Sequence, residues 1–119
     1  MMLPQEIEVW YILPAVRSAL CKELAISLPQ KRIAALLGIT EPAVSQYIKG
    51  KRGSKIKLSE EVRREIKTTA KKLMESKVHP MEAINYLSKK VLHTNEICKL
   101  HIRMEEDVPD GCKVCFESQ

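Results

Sequence analysis

Gln30-Lys31-Arg32-Ile33-Ala34-Ala35-Leu36-Leu37-Gly38-Ile39-Thr40-Glu41-Pro42-Ala43-Val44-Ser45-Gln46-Tyr47-Ile48-Lys49 is the stretch that decides the fold. It reads as a helix, a sharp turn at Gly38 and a second helix with one apolar and one polar side. Ala34 is small where two crossing helices approach closely. Gly38 ends the first helix in a left-handed conformation that a Cβ would disfavour. Thr40 caps the second helix, and Pro42 is tolerated in its first turn. This is the helix-turn-helix arrangement, in which the second helix is offered to a DNA major groove.

The second helix divides sharply. Val44, Tyr47 and Ile48 share a face that can pack on Ile33, Ala34 and Leu37. Pro42, Ser45, Gln46 and Lys49 follow at i, i+3, i+4 and i+7, so they share the opposite face. A helix that needed only solubility would more often carry Glu–Lys pairs there. Ser and Gln instead donate to and accept from base edges. The alternative, an ordinary helical hairpin with a polar exterior, requires small residue, glycine, cap and polar stripe to coincide.

Outward from this segment, charge supports the same reading. The chain of 119 residues carries a formal +5. Residues 29–57 hold Lys31, Arg32, Lys49, Lys51, Arg52, Lys55 and Lys57 against Glu41 alone, a net of +6. Residues 58–119 balance, with 11 basic and 11 acidic side chains. Concentrated positive charge supplies phosphate affinity and fast association; on charge alone, a solvated face fits equally well. The segment 50–55 is a flexible basic loop, either laid along a sugar–phosphate backbone or a plain surface turn.

The flanks read as helical. Pro4 to Leu13 fits both period two and period 3.6, with a helix preferred. Val16, Ala19, Leu20 and Leu24 form a stripe through to about Leu28. Ser59 caps a long helix carrying Val62, Ile66, Ala70 and Leu73, with Glu60 and Glu61 in its first turn. Pro80 opens a helix carrying Met81, Ile84, Leu87 and Val91. A short helix is expected from Thr94, carrying Ile97, Leu100 and Met104. A remaining stripe offers a homodimer surface, since such readers work in pairs. No signal peptide or membrane-spanning run is visible, which predicts a soluble cytoplasmic protein.

Intracellular cysteines point to metal, redox chemistry or burial rather than structural disulfides. Cys98-Lys99-Leu100-His101 and Cys112-Lys113-Val114-Cys115 are two ligand pairs separated by ten residues. A two-residue spacer lets both side chains of a pair reach one ion, and Pro109, Asp110 and Gly111 supply the return turn. Cys98, His101, Cys112 and Cys115 thus read as a Cys3His set suited to tetrahedral zinc, the alternative being a frayed tail with unrelated thiols. The same ligands suit a [4Fe-4S] cluster. Cys21, beside Leu20 and Leu24, reads as a buried small hydrophobe. His79 and His93 have no partner at ligand spacing and read as surface or interface residues, with His93 near enough to the tail to serve as a spare ligand.

Leu13-Pro14-Ala15-Val16-Arg17, the run from Gln30 to Gly38, Thr40 to Tyr47, and Gly50-Lys51-Arg52-Gly53 together resemble a family of small archaeal transcriptional regulators. That family belongs to the phage-repressor-like helix-turn-helix class, and the likeness extends to a cysteine-containing C-terminal end. The resemblance implies that Gln30, opening the first hairpin helix, clamps a phosphate. It implies that Glu41, Pro42, Ser45, Gln46 and Lys49 meet bases. Pro42 stands where a polar residue is common, so its contact would be apolar.

The expectation is an all-α protein. Residues 1–57 form a helix-turn-helix DNA-binding domain, 58–95 a helical dimerisation and support region, and 96–119 a metal-binding tail. The expected contacts to double-stranded DNA are Gln30, Thr40, Glu41, Pro42, Ser45, Gln46, Lys49, Lys51 and Arg52, with Ser45 and Gln46 as base readers. Lys49, Lys51 and Arg52 are assigned to phosphates. The rival reading is a helix-turn-helix adaptor that docks onto the transcription machinery and carries a purely structural zinc. Neither a Ser-His-Asp set, a phosphate-cradling glycine loop nor a small-molecule substrate site is legible, so no enzyme is expected.

Overall fold

The computed structural model describes residues 3–93, and every regular element among them is helical. Helix α1 (Pro4–Ile7) runs into a π-helical segment (Glu8–Ile12) and on into α2 (Leu13–Leu24). Helices α3 (Gln30–Leu37), α4 (Glu41–Ile48), α5 (Glu60–Met74) and α6 (Pro80–Leu92) follow. The expected C-terminal helix from Thr94 lies outside the described residues, and so does the cysteine tail.

The π segment explains why the N-terminal pattern is ambiguous. The Leu13 N–H donates to the Glu8 carbonyl, five residues back. One extra residue in the turn brings Ile7 and Ile12 into the core together, although five residues apart on an α-helix would diverge. The segment also lies just before Pro14, whose ring in a regular helix would press on the Trp10 carbonyl. Beyond it the stripe is regular: Val16, Leu20 and Leu24 are fully buried, while Ala19 is half-buried. The helix stops at Leu24 rather than near Leu28, because Ala25 to Leu28 turn tightly, with the Leu28 N–H on the Leu24 carbonyl at 2.8 Å.

Helix α2 is the central element, packing against α4, α5 and α6. Its apolar residues join Ile33, Val44, Ile66, Leu73 and Leu87 in one continuous cluster. At about 25 cal/mol per Å2 of apolar surface, full burial of one such side chain stabilises by about 1.5–3 kcal/mol. Helix α5 follows the expected spacing: Val62, Ile66, Ala70 and Leu73 are buried, and the Ser59 hydroxyl accepts the Val62 N–H at 3.2 Å. Helix α6 buries Leu87 and Val91 as expected but departs from expectation at its first turn. Met81 is 74% exposed and Ile84 half-buried, and the inner face is Ala83, Leu87, Val91 and Leu92. His79 supplies its cap, the Nδ1 atom accepting the Met81 N–H at 3.1 Å.

Candidate nucleic-acid interface

The α3–α4 pair is built by its turn and its caps. Gly38, at φ +68°, ends α3, and the N–H groups of Gly38 and Ile39 both reach the Ala34 carbonyl. This left-handed position favours glycine, even though the space around it is open. Two residues later the Thr40 hydroxyl accepts the Ala43 N–H at 3.2 Å, and Pro42 occupies the first turn of α4. The glycine turn and the threonine cap satisfy groups that the helix ends would otherwise leave unpaired, and Pro42 has no N–H to satisfy. Three residues, Gly38 to Thr40, therefore reverse the chain between two helices of eight residues each.

The division of α4 into two faces is present in the folded chain. Val44 and Tyr47 are buried, and they meet a core that includes Ile33, Ala34 and Leu37. Glu41, Pro42, Gln46 and Lys49 are exposed, and Ser45 is half-buried. The principal neighbours of α4 are α2 and α3. Gln30, at the start of α3, is exposed, as are Thr40, Lys51 and Arg52. Every residue of the DNA-contact set thus reaches solvent, with Ser45 the most enclosed.

The far end of α4 carries features that the sequence did not disclose. The Lys51 N–H returns to the Gln46 carbonyl at 2.9 Å and the Gly50 N–H to the Tyr47 carbonyl at 3.2 Å, a Schellman closure. The buried Ser18 hydroxyl donates to the same Tyr47 carbonyl at 3.0 Å, pinning the last turn of α4 to α2. Gly53, at φ +74°, sits flat on α2. A Cβ there would overlap the Pro14 carbonyl and lie 2.8 Å from the Ser18 Cβ. The guanidinium of Arg52 lies over the Tyr47 ring, 5.4 Å from its centroid. The basic loop expected to be flexible is therefore seated on the helix beneath it. No residue pattern at single-sequence level separates a seated Gly53 from an ordinary loop glycine.

This region carries a local excess of positive charge. Among the described residues the ion pairs join Lys77 to Glu75, Lys89 to Glu8, and Lys90 to both Glu61 and Glu65. None uses Lys31, Arg32, Lys49, Lys51, Arg52, Lys55 or Lys57. Those seven cations face solvent, where a polyanion would find them uncompensated.

Cys98, His101, Cys112 and Cys115 lie outside the described residues. Among the described residues no group of His, Cys, Asp and Glu is placed to hold a metal. Cys21 is fully buried, as its apolar neighbours suggested. Burial pushes its thiol up to about 11 against the opposing pull of Arg17, so it is neither a ready ligand nor a nucleophile. His79 and His93 are both exposed. No helix of the described residues is long and apolar enough to cross a membrane. Comparison with protein families, curated proteins and solved structures returns no match.

Proposed function

We propose that the chain is a sequence-specific DNA-binding transcriptional regulator acting as a cytoplasmic homodimer. The observation that carries this reading is the exposed face of α4: a polar, hydrogen-bonding surface on a short helix whose other side is locked into the core. Lys49, Lys51 and Arg52 at its far end are exposed and enter no ion pair among the described residues. Gln46 and Ser45 read base edges, and Lys49, Lys51 and Arg52 neutralise phosphates. Gln30 at the head of α3 and Thr40, Glu41 and Pro42 at the head of α4 complete the contact surface. Dimerisation is supported by three large apolar side chains left in solvent near the N-terminus, Leu3, Val9 and Trp10.

The tail adds a metal centre to this proposal. Three thiolates and one imidazole, Cys98, Cys112, Cys115 and His101, are a donor set for zinc or for an iron–sulfur cluster. Four protein ligands on zinc leave no open position, which fits stapling or sensing better than catalysis. Anaerobic purification with metal and sulfide analysis separates the two. A colourless protein with one zinc means a staple; a brown one with acid-labile sulfide means a cluster; neither metal overturns the centre.

The DNA reading is tested by selecting binding sites from a random duplex pool with the full chain. Enrichment of a defined motif is expected, and Gln46→Ala then weakens that site by about 1–3 kcal/mol while leaving random DNA nearly unchanged. Equal losses on both, or no motif at all, would favour the adaptor reading instead.

A further inference from the structure

A groove of about 540 Å3 opens between α2, residues 53–58 and α5, away from the polar face of α4. That volume lies in the range of sites that hold small ligands, about 300–1,000 Å3. Two properties define what would fit. Its floor includes Ala19, Ile56 and Leu58, all half-buried, so apolar surface is left facing the opening. Its rim carries Lys22, Lys57, Arg63 and Lys67, all exposed, against the single carboxylate of Glu23. None of these four cations makes an ion pair within the described residues.

We infer that this groove binds a small amphipathic anion, a carboxylate or sulfonate on an apolar body. A phosphodiester backbone would need only the cations and would leave the floor wet. A neutral apolar ligand would leave the cations without use. A ligand with both parts covers the floor and meets the rim, where charge-assisted hydrogen bonds to Lys and Arg are strong. The wall formed by residues 53–58 rests on α2 through Gly53, and that chain continues directly from the Schellman closure of α4. An occupant would therefore act as an effector, touching the segment that seats the recognition helix. This consequence rests on the DNA reading; the binding itself does not.

The binding measurement uses the full chain alone, with duplex DNA added only as a last competitor, so failure to bind the probe leaves the DNA reading untouched. Anilinonaphthalene sulfonate is the fluorescent probe, and decanoate and decanol are competitors. Saturable binding of one probe per chain is expected, displaced by decanoate and poorly by decanol. Ala19→Phe, which fills the floor, and Lys67→Glu, which reverses a rim charge, should each weaken it by roughly fivefold or more. Lys67 is solvent-exposed, so its variant remains informative if Ala19→Phe folds poorly. Unsaturable binding, or insensitivity to Lys67→Glu, would overturn the proposal. Equal displacement by decanol would also overturn it, because it would show an apolar patch with no anion site. Displacement of the probe by random duplex DNA, with no competition from decanoate, would assign the groove to nucleic acid instead.

Discussion

The α3–α4 region and the seam between α5 and α6 use the same charged residue types in opposite ways. At the seam, Lys90 on α6 sits between Glu61 and Glu65 of α5 at 3.5 and 3.4 Å, and the hydrogen bond to Glu65 holds its ammonium above the usual lysine range. Lys89 reaches across to Glu8. In the hairpin region, seven cations face solvent beside one acid, and no ion pair uses them. Surface ion pairs contribute little to stability, about 0–1 kcal/mol, so neither arrangement is explained by folding alone. The seam between α5 and α6 pairs its charges within the chain, whereas the hairpin region, like Arg63 and Lys67 on the exposed side of α5, leaves its cations unpaired among the described residues.

The largest effect that would break this contrast comes from Gly53. The chain after α4, which carries Lys51, Arg52, Lys55 and Lys57, is seated on α2 with Gly53 as the point of contact. Gly53→Ala combines a left-handed backbone with overlap against the Pro14 carbonyl. We expect a loss of about 2–4 kcal/mol in chemical denaturation, from overpacking and from the disfavoured φ together. A change below about half a kcal/mol would mean that the loop lifts freely and that α4 is held by its core face alone.

Next in size are the functional substitutions, which sharpen the contrast by separating reading from attraction. Gln46→Ala is expected to act on the cognate site alone, as stated above. Lys49→Ala should instead weaken all duplexes alike and lower the salt slope of binding by about one unit. Neither residue supports the fold, since both are exposed, so melting temperatures should stay within a degree or two of the parent. If Lys49→Ala left the salt dependence unchanged, the uncompensated charge of this region would have lost its assigned purpose.

Ser18→Ala probes the tie between α2 and the last turn of α4. The buried hydroxyl donates to the Tyr47 carbonyl, which also accepts from Gly50, so the carbonyl is not orphaned by the change. The expected cost is about 1 kcal/mol, typical for a single net hydrogen bond.

Legibility in the sequence follows the range of the interaction. Helix ends were readable because their signals are local: Gly38, Thr40 and Ser59 act within three or four residues, and each does what its position suggests. The buried stripe of α5 was readable because its period is regular. The N-terminal stretch was readable as helical but not in its register, because the π turn shifts it between Ile7 and Ile12. Met81 alone lies clear of the expected face of α6, at the second position of the helix, while Ala83 turns inward. Of the candidate site, the residues of α4 were legible from periodicity. The Ser18–Tyr47 bond, the Arg52–Tyr47 stack and the seat of Gly53 are tertiary, and nothing in a single chain marks them.

The smallest predicted effect compares how the two regions close their helices. Helix α4 ends at Gly50, φ +76°, and α5 ends at Ser76, φ +57°, with the same pair of return bonds: Lys77 N–H to the Lys72 carbonyl at 2.9 Å and Ser76 N–H to the Leu73 carbonyl at 3.1 Å. One closure uses glycine and the other forces a residue with a Cβ into the left-handed region. Ser76 is exposed, so removing its side chain sacrifices no packing. Ser76→Gly therefore relieves a backbone cost of about 1–2 kcal/mol while adding freedom to the unfolded chain that offsets part of it. The net expectation is a gain of about 0.5–1 kcal/mol, seen as a melting temperature higher by a few degrees. A fall in stability would show that the serine side chain makes a contribution beyond its backbone, and the supporting layer would then share more with the hairpin than its charges suggest.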